Sequence, residues 1–136
     1  MENYILSEDV NVFCVTATSF PDGVMAAHNK IHSLAPFSKE RKYFGLSRPK
    51  GKDEIIYKAG ANELVKGELA NHHLEEVVVK KGNYASVIIK DFMKNIPVIG
   101  KTFQEILARP DIDPEGWCVE WYFNETDIQC MVRLKS

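Results

Sequence analysis

Apolar positions along the chain switch between a period of two and a period of three to four, and the switches outline a fold. From Val10 to Phe20 the chain is rich in β-branched residues and predicts a strand, which Pro21-Asp22-Gly23 ends. Val24, Ala27, Ile31 and Leu34 then recur at helical spacing, with Asp22 placed to cap the helix and Pro36 to stop it. Tyr43 to Ser47 and Glu54 to Gly60 read as two further strands on either side of a turn-rich connection, Arg48 to Asp53. Asn62 to Asn71 is polar and mixed, a crossover in which Leu64, Val65 and Leu69 still call for burial.

The second half follows the same order. Leu74 to Lys80 predicts a strand, Lys81-Gly82-Asn83 a turn and Tyr84 to Lys90 a strand, which together suggest a hairpin. Asn95 caps and Pro97 opens a second helix, whose apolar face carries Ile99, Phe103, Ile106 and Leu107 before Arg109-Pro110 ends it. The stretch from Gly116 to Phe123 and the alternating run from Asp127 to Leu134 close the chain as strands. Strand, helix, strand, strand therefore occurs twice, over pseudo-repeats of about residues 9–61 and 74–135. Two such units predict an α+β domain spanning residues 1–136, with one antiparallel sheet backed by two helices. A groove where the halves meet is the expected ligand site.

Composition narrows the function. At 136 residues and 45% hydrophobic content, the chain has enough apolar material for a core without staples of disulfide or metal. Seventeen basic against nineteen acidic residues leave a formal charge of -2, which offers no footprint for a phosphate backbone, so direct nucleic-acid binding is not expected. Arg41-Lys42 and Lys80-Lys81 read as solvated edges. The start of the chain lacks the basic and apolar segments of a signal peptide, and no apolar run reaches membrane-spanning length; a cytoplasmic location away from membranes is the expectation. Cys14, Cys118 and Cys130, odd in number and each in an apolar run, read as buried reduced thiols.

Against this background the stretch Gly116 to Phe123 stands out, because Glu120 sits among apolar neighbours. A two-residue period puts Cys118, Glu120 and Tyr122 on one face, and Trp117, Val119, Trp121 and Phe123 on the other. Burial of an uncompensated carboxylate costs several kcal/mol, roughly, so something must satisfy Glu120. Trp121 reads as core, with Tyr122 as the expected partner of Glu120.

With that order and that glutamate in place, the chain resembles the GyrI-like (gyrase-inhibitor-like) effector-binding family. The resemblance rests on Tyr43-Phe44-Gly45-Leu46-Ser47, on Gly82-Asn83-Tyr84-Ala85, and above all on Val119-Glu120-Trp121-Tyr122 followed by a short apolar closing strand. It covers nearly the whole chain and implies a duplicated strand-helix-strand-strand fold. It also implies a cleft for small, often aromatic and cationic molecules, with Glu120 at the position of the family's shared acidic residue. Many relatives carry such a domain behind a helix-turn-helix module of the AraC or MerR type. The chain has no room for one, so a free-standing sensor or sequestering protein is expected, linked to transcriptional regulation or multidrug binding only through the family. The family is also similar to SOUL haem-binding proteins, yet no axial ligand is marked, and no cofactor is expected.

The chemistry has more than one reading. Glu120 and Tyr122, with Tyr84, Phe44 and Trp117 as aromatic walls, suit a ligand cation, each ring adding about 0.5–2 kcal/mol by cation–π contact. Pairing of Glu120 with an internal cation or with tyrosine hydroxyls accounts for the same residues structurally. Some branches of the family resemble small-molecule hydrolases, which makes Glu120 a general base with Trp117 beside it. Their offset of three residues demands a bulge or a loop start at Trp117. A third reading, after the family's namesake, is an inhibitory module with a protein partner, or a homodimer. His28 and His32, four apart on the first helix, have the spacing of zinc ligands, but a third ligand is missing and no metal is expected.

Overall fold

Eight strands and two α-helices form among residues 1–135, the part of the chain that the computed structural model describes. Seven strands lie in the stretches that the sequence predicts, although the first of these stops at Thr16, short of the expected Phe20. The eighth, β1 (Glu2–Leu6), occupies a stretch that carried no strand expectation. Its consecutive Tyr4, Ile5 and Leu6 do not alternate, and Ile5 is exposed; antiparallel pairing with a later strand, Tyr4 opposite Tyr84 and Leu6 opposite Gly82, makes it a strand. The architecture is α+β. The chain divides into two compact units, Val10–Val79 and, separately, Met1–Asp9 with the chain from Lys80 onward.

In the unit Val10–Val79 the elements are β2 (Val10–Thr16), α1 (Val24–Leu34), β3 (Tyr43–Lys50), β4 (Glu54–Ala61) and β5 (Glu75–Val79). All pairings are antiparallel, in the order β3-β4-β2-β5. Helix α1 buries Ala27 and Ile31. The expected Asp22 cap does not form: Gly23 precedes the helix and makes no side-chain cap. At the other end the Tyr43 hydroxyl donates to the Ala35 carbonyl at 2.6 Å, which ties the helix terminus to β3. Strand β3 runs on through Arg48, Pro49 and Lys50, and the turn narrows to Gly51-Lys52-Asp53, where Gly51 takes the left-handed conformation that a side chain resists.

Two further expectations for this unit are corrected. Arg41 is no solvated edge residue but buried, donating from Nε to Pro36, from Nη1 to Asn62, and from both terminal nitrogens to the Glu68 carboxylate at 3.1 and 2.8 Å. The guanidinium, with backbone N–H groups, holds the Glu68 carboxyl down at about 2. In the crossover only Leu69 is buried, while Leu64 and Val65 are exposed. Polar bonds shape that segment instead: the Glu63 carboxylate accepts the N–H groups of Gly67, Leu69 and Ala70.

The second unit contains β1, β6 (Gly82–Ile89), α2 (Pro97–Leu107), β7 (Cys118–Tyr122) and β8 (Ile128–Arg133), paired antiparallel in the order β1-β6-β8-β7. In both units the strand before the helix, β2 or β6, pairs with the second strand after the helix, β4 or β8, which pairs with the first, β3 or β7. The hairpin expected from Leu74 to Lys90 does not form, since β5 pairs with β2, and β6 with β1 and β8. Around Lys81 the chain is held by other groups: Asp9 accepts its N–H at 2.8 Å and Arg133 Nε donates to its carbonyl at 3.0 Å. Gly82 approaches that same guanidinium with φ of 139° and starts the strand.

Helix α2 buries Thr102, Phe103 and Ile106 against a cluster of Ala85, Cys118, Ile128, Cys130 and Val132. Leu107, expected on that face, is exposed, and Asn95 closes a short 3-10 turn instead of capping the helix. The cluster sits on one face of β6, β7 and β8, and it is the floor on which the candidate site is built.

Gly60 illustrates how tightly the other unit is packed. A Cβ there would lie 2.4 Å from Val12 Cγ1 and 2.9 Å from both Cys14 Sγ and the Phe13 carbonyl oxygen. Gly60→Ala is expected to cost about 1–3 kcal/mol, read as a lower urea midpoint at unchanged slope.

Candidate functional site

Pleat alternation and register decide which side chains meet. On β7, Cys118, Glu120 and Tyr122 share a face; Glu120 lies opposite Cys130 on β8, which lies opposite Val87 on β6. This is the face that α2 covers, because Cys118, Cys130, Val132 and Ala85 all belong to its cluster. Glu120 is therefore a carboxylate set into the apolar floor beneath a helix, only 7% exposed.

Its environment is protic and aromatic. The Tyr122 hydroxyl donates to Glu120 Oε1. The Tyr122 ring in turn meets Phe92 edge to face, with centroids 5.5 Å apart. Across the strand pair, burial first and the Glu120 charge second push the Cys130 thiol up to about 12, so it stays protonated at neutral pH. Thiolate chemistry is thus suppressed beside the glutamate. Such a carboxylate can attract a cation, accept a proton or hold a phenol in place.

The other expected site residues lie on several elements. Tyr84 lies opposite Arg133, one residue out of phase with Ala85 and Val132, so it stands on the face turned away from α2. It is 2% exposed and donates its hydroxyl to the Lys80 carbonyl. Burial pushes its phenol up to about 12. Phe44 belongs to the unit Val10–Val79, buried on β3 opposite Gly60. Trp117 immediately precedes β7, half-buried, at the end of a loop pinned to β8 by the Asp113 N–H on the Arg133 carbonyl and by Arg133 Nη1 on Asp113 Oδ2. Trp121 is half-buried, not enclosed core, and stands in an aromatic row, 6.3 Å from Tyr4 and 5.8 Å from Phe123 between ring centroids. Of the expected site residues, Glu120 and Tyr122 are brought into direct contact.

The unit Val10–Val79 carries a second polar contact under its helix that sequence reasoning did not single out. His28 Nε2 and the Tyr57 hydroxyl are 2.7 Å apart, and Phe20 stacks on Tyr57 at 5.9 Å. His32 stacks on Tyr43 at 4.1 Å, so the two histidines meet tyrosines from α1. No group of three or more His, Cys, Asp or Glu side chains placed to hold a metal occurs among the described residues. The missed signal was Tyr57 itself, in phase with Ala59 and Ala61 on the strand facing the helix.

No family model and no curated protein matches the sequence. Among solved structures, the fold is similar to an integron cassette protein from the mobile metagenome of Vibrio cholerae, with a TM-score of 0.72 and 14% identity over 98% of this chain and 95% of that one. It is also similar to a hydrolase from Listeria innocua, with a TM-score of 0.51 and 10% identity over 98% and 90% of the two chains. At these identities the likeness is one of fold.

Burial, and secondarily the nearby His32, lower the His28 pKa from its ordinary 6.5 to about 4. Between those values the unfolded chain binds more protons than the folded one, so stability is full above about pH 6.5 and declines as pH falls toward 4. Urea denaturation at pH 7 and pH 4.5 is expected to differ by on the order of 1–3 kcal/mol more in the parent chain than in His28→Gln.

Proposed function

We propose that the chain is a small-molecule-binding domain of GyrI-like type, which takes a cationic or aromatic ligand at Glu120 and serves sensing or sequestration. The observation that carries this reading is the Glu120 carboxylate, buried on the helix-covered face of β7 and bonded by Tyr122. A cation at about 4 Å from such a group gains on the order of 4 kcal/mol at an effective dielectric of 20, against about 1 kcal/mol in water. The site comprises Glu120 and Tyr122, with Trp117 at its edge; in this reading Tyr84, on the opposite face of its strand pair, serves packing. The matching strand order of the two units supports a duplicated β-α-β-β origin, and the likeness in fold to the Vibrio cassette protein spans nearly the whole of both chains.

A hydrolytic use of the same carboxylate is the second reading. Strand β7 begins at Cys118, so Trp117 lies in the preceding loop, and strand alternation does not force it to the side opposite Glu120. The Listeria neighbour of similar fold is a hydrolase. In this version Glu120 takes a proton from water as the water attacks a small electrophile.

One variant tests both. Trp117 and Trp121 fluorescence, titrated with lipophilic cationic dyes and neutral analogues of the same shape, is expected to report binding of the cations. Glu120→Gln should weaken them at least about tenfold while changing the neutral analogues little. Equal affinity of parent and variant for every cation would overturn the binding reading. For the hydrolytic reading, turnover of an activated ester or epoxide should fall by about 100-fold or more in Glu120→Gln; turnover that survives the substitution rules it out.

A further inference from the structure

Strand β5 ends the pairing order of its unit, with β2 as its partner among the described residues. An outermost strand keeps a row of backbone N–H and C=O groups able to pair with another strand. Proteins blunt such edges with charge. Here the charges are arranged in a particular order: Glu75-Glu76-Val77-Val78-Val79-Lys80-Lys81 carries acids at one end, bases at the other, and valines between. Reversed about Val78, the sequence places each acid against a base and each valine against a valine.

That order discriminates between pairings. Two copies of β5 side by side in parallel and in register would set Glu76 on Glu76 and Lys80 on Lys80, which repels. Two antiparallel copies centred on Val78 set Glu76 against Lys80 twice, with Val78 against Val78 at the two-fold axis. A strand that merely guarded its edge would have no need of opposite signs at opposite ends. The exposure pattern agrees: Val77 and Val79 are buried, whereas Glu76, Val78 and Lys80 are exposed, with Val78 40% exposed. Glu75 is already engaged by Lys58 Nζ, which leaves Glu76 as the acid available for pairing. Lys80 follows the strand directly and is exposed.

We infer that β5 is a self-association edge, and that its occupant is the β5 of a second copy of this chain, joined antiparallel into a two-fold dimer. The dimer is held by a strand-to-strand ladder, with Glu76–Lys80 pairs at both ends and Val78 at the centre.

The symmetry yields a test with an internal control. Glu76→Lys and Lys80→Glu each place like charges in both cross-strand pairs of a homodimer. Mixed together, they restore two opposite-charge pairs. Sedimentation of the full chain at low ionic strength is expected to show a concentration-dependent dimer for the parent. Each single variant should dissociate at roughly tenfold or higher concentration than the parent, and the equimolar mixture should recover a one-to-one dimer. Both positions are exposed, so unchanged far-ultraviolet circular dichroism is expected for both variants. A parent chain that stays monomeric into the millimolar range overturns the inference. A dimer indifferent to either charge reversal, or single variants that associate no better when mixed, overturns it equally.

Discussion

A carboxylate under a helix, bonded by a phenol and flanked by thiols, is the constraint around which the described chemistry of the β7 strand is arranged. Desolvation penalises the charge of Glu120, and the protein answers with a hydroxyl donor two residues along the same strand. That answer depends on the pleat, since residues two apart on a strand share a face. It depends also on α2, whose Phe103 and Ile106 cover the surrounding cluster and exclude water from it. The same burial that makes Glu120 costly makes its field effective toward a ligand, and it keeps Cys130 protonated.

The buried polar groups of the Val10–Val79 unit follow another logic. Arg41 distributes its donors over two carbonyls and one carboxylate, and Glu63 gathers three backbone N–H groups, so these charges organise a segment that has little apolar content of its own. Leu69 is the one residue among Leu64, Val65 and Leu69 that finds the core. Charges of this kind shape a loop. Glu120 lies instead within a strand, where its carboxylate is bonded by the Tyr122 hydroxyl on the same face.

Much of the fold was legible in the order of residues. Val24, Ala27, Ile31 and Leu34 marked the first helix and Pro97 opened the second at the observed residues. The face shared by Cys118, Glu120 and Tyr122 followed from alternation alone, and so did the choice of Tyr122 as partner. The two-residue period failed where pairing partners, not patterns, create the element. β1 exists because β6 accepts it, and the Leu74 to Lys90 hairpin is absent because both strands have other partners. Arg41 and Leu64 misled in opposite directions, as burial of one side chain depends on which distant carboxylate or apolar group arrives beside it.

By itself the sequence determined local periodicity: where seven of the eight strands and both α-helices lie, and which side chains within one strand look the same way. These follow from backbone geometry over a few residues. Only tertiary structure decided which strands pair and which face lies under a helix, because those outcomes depend on contacts between residues far apart in the chain. The register of β6 against β8 separates Tyr84 from Glu120, though both lie in strands that read as aromatic candidates for one site. It is also the register, with α2 above it, that turns Glu120 from an odd residue in an apolar run into a carboxylate buried beside Tyr122 and Cys130.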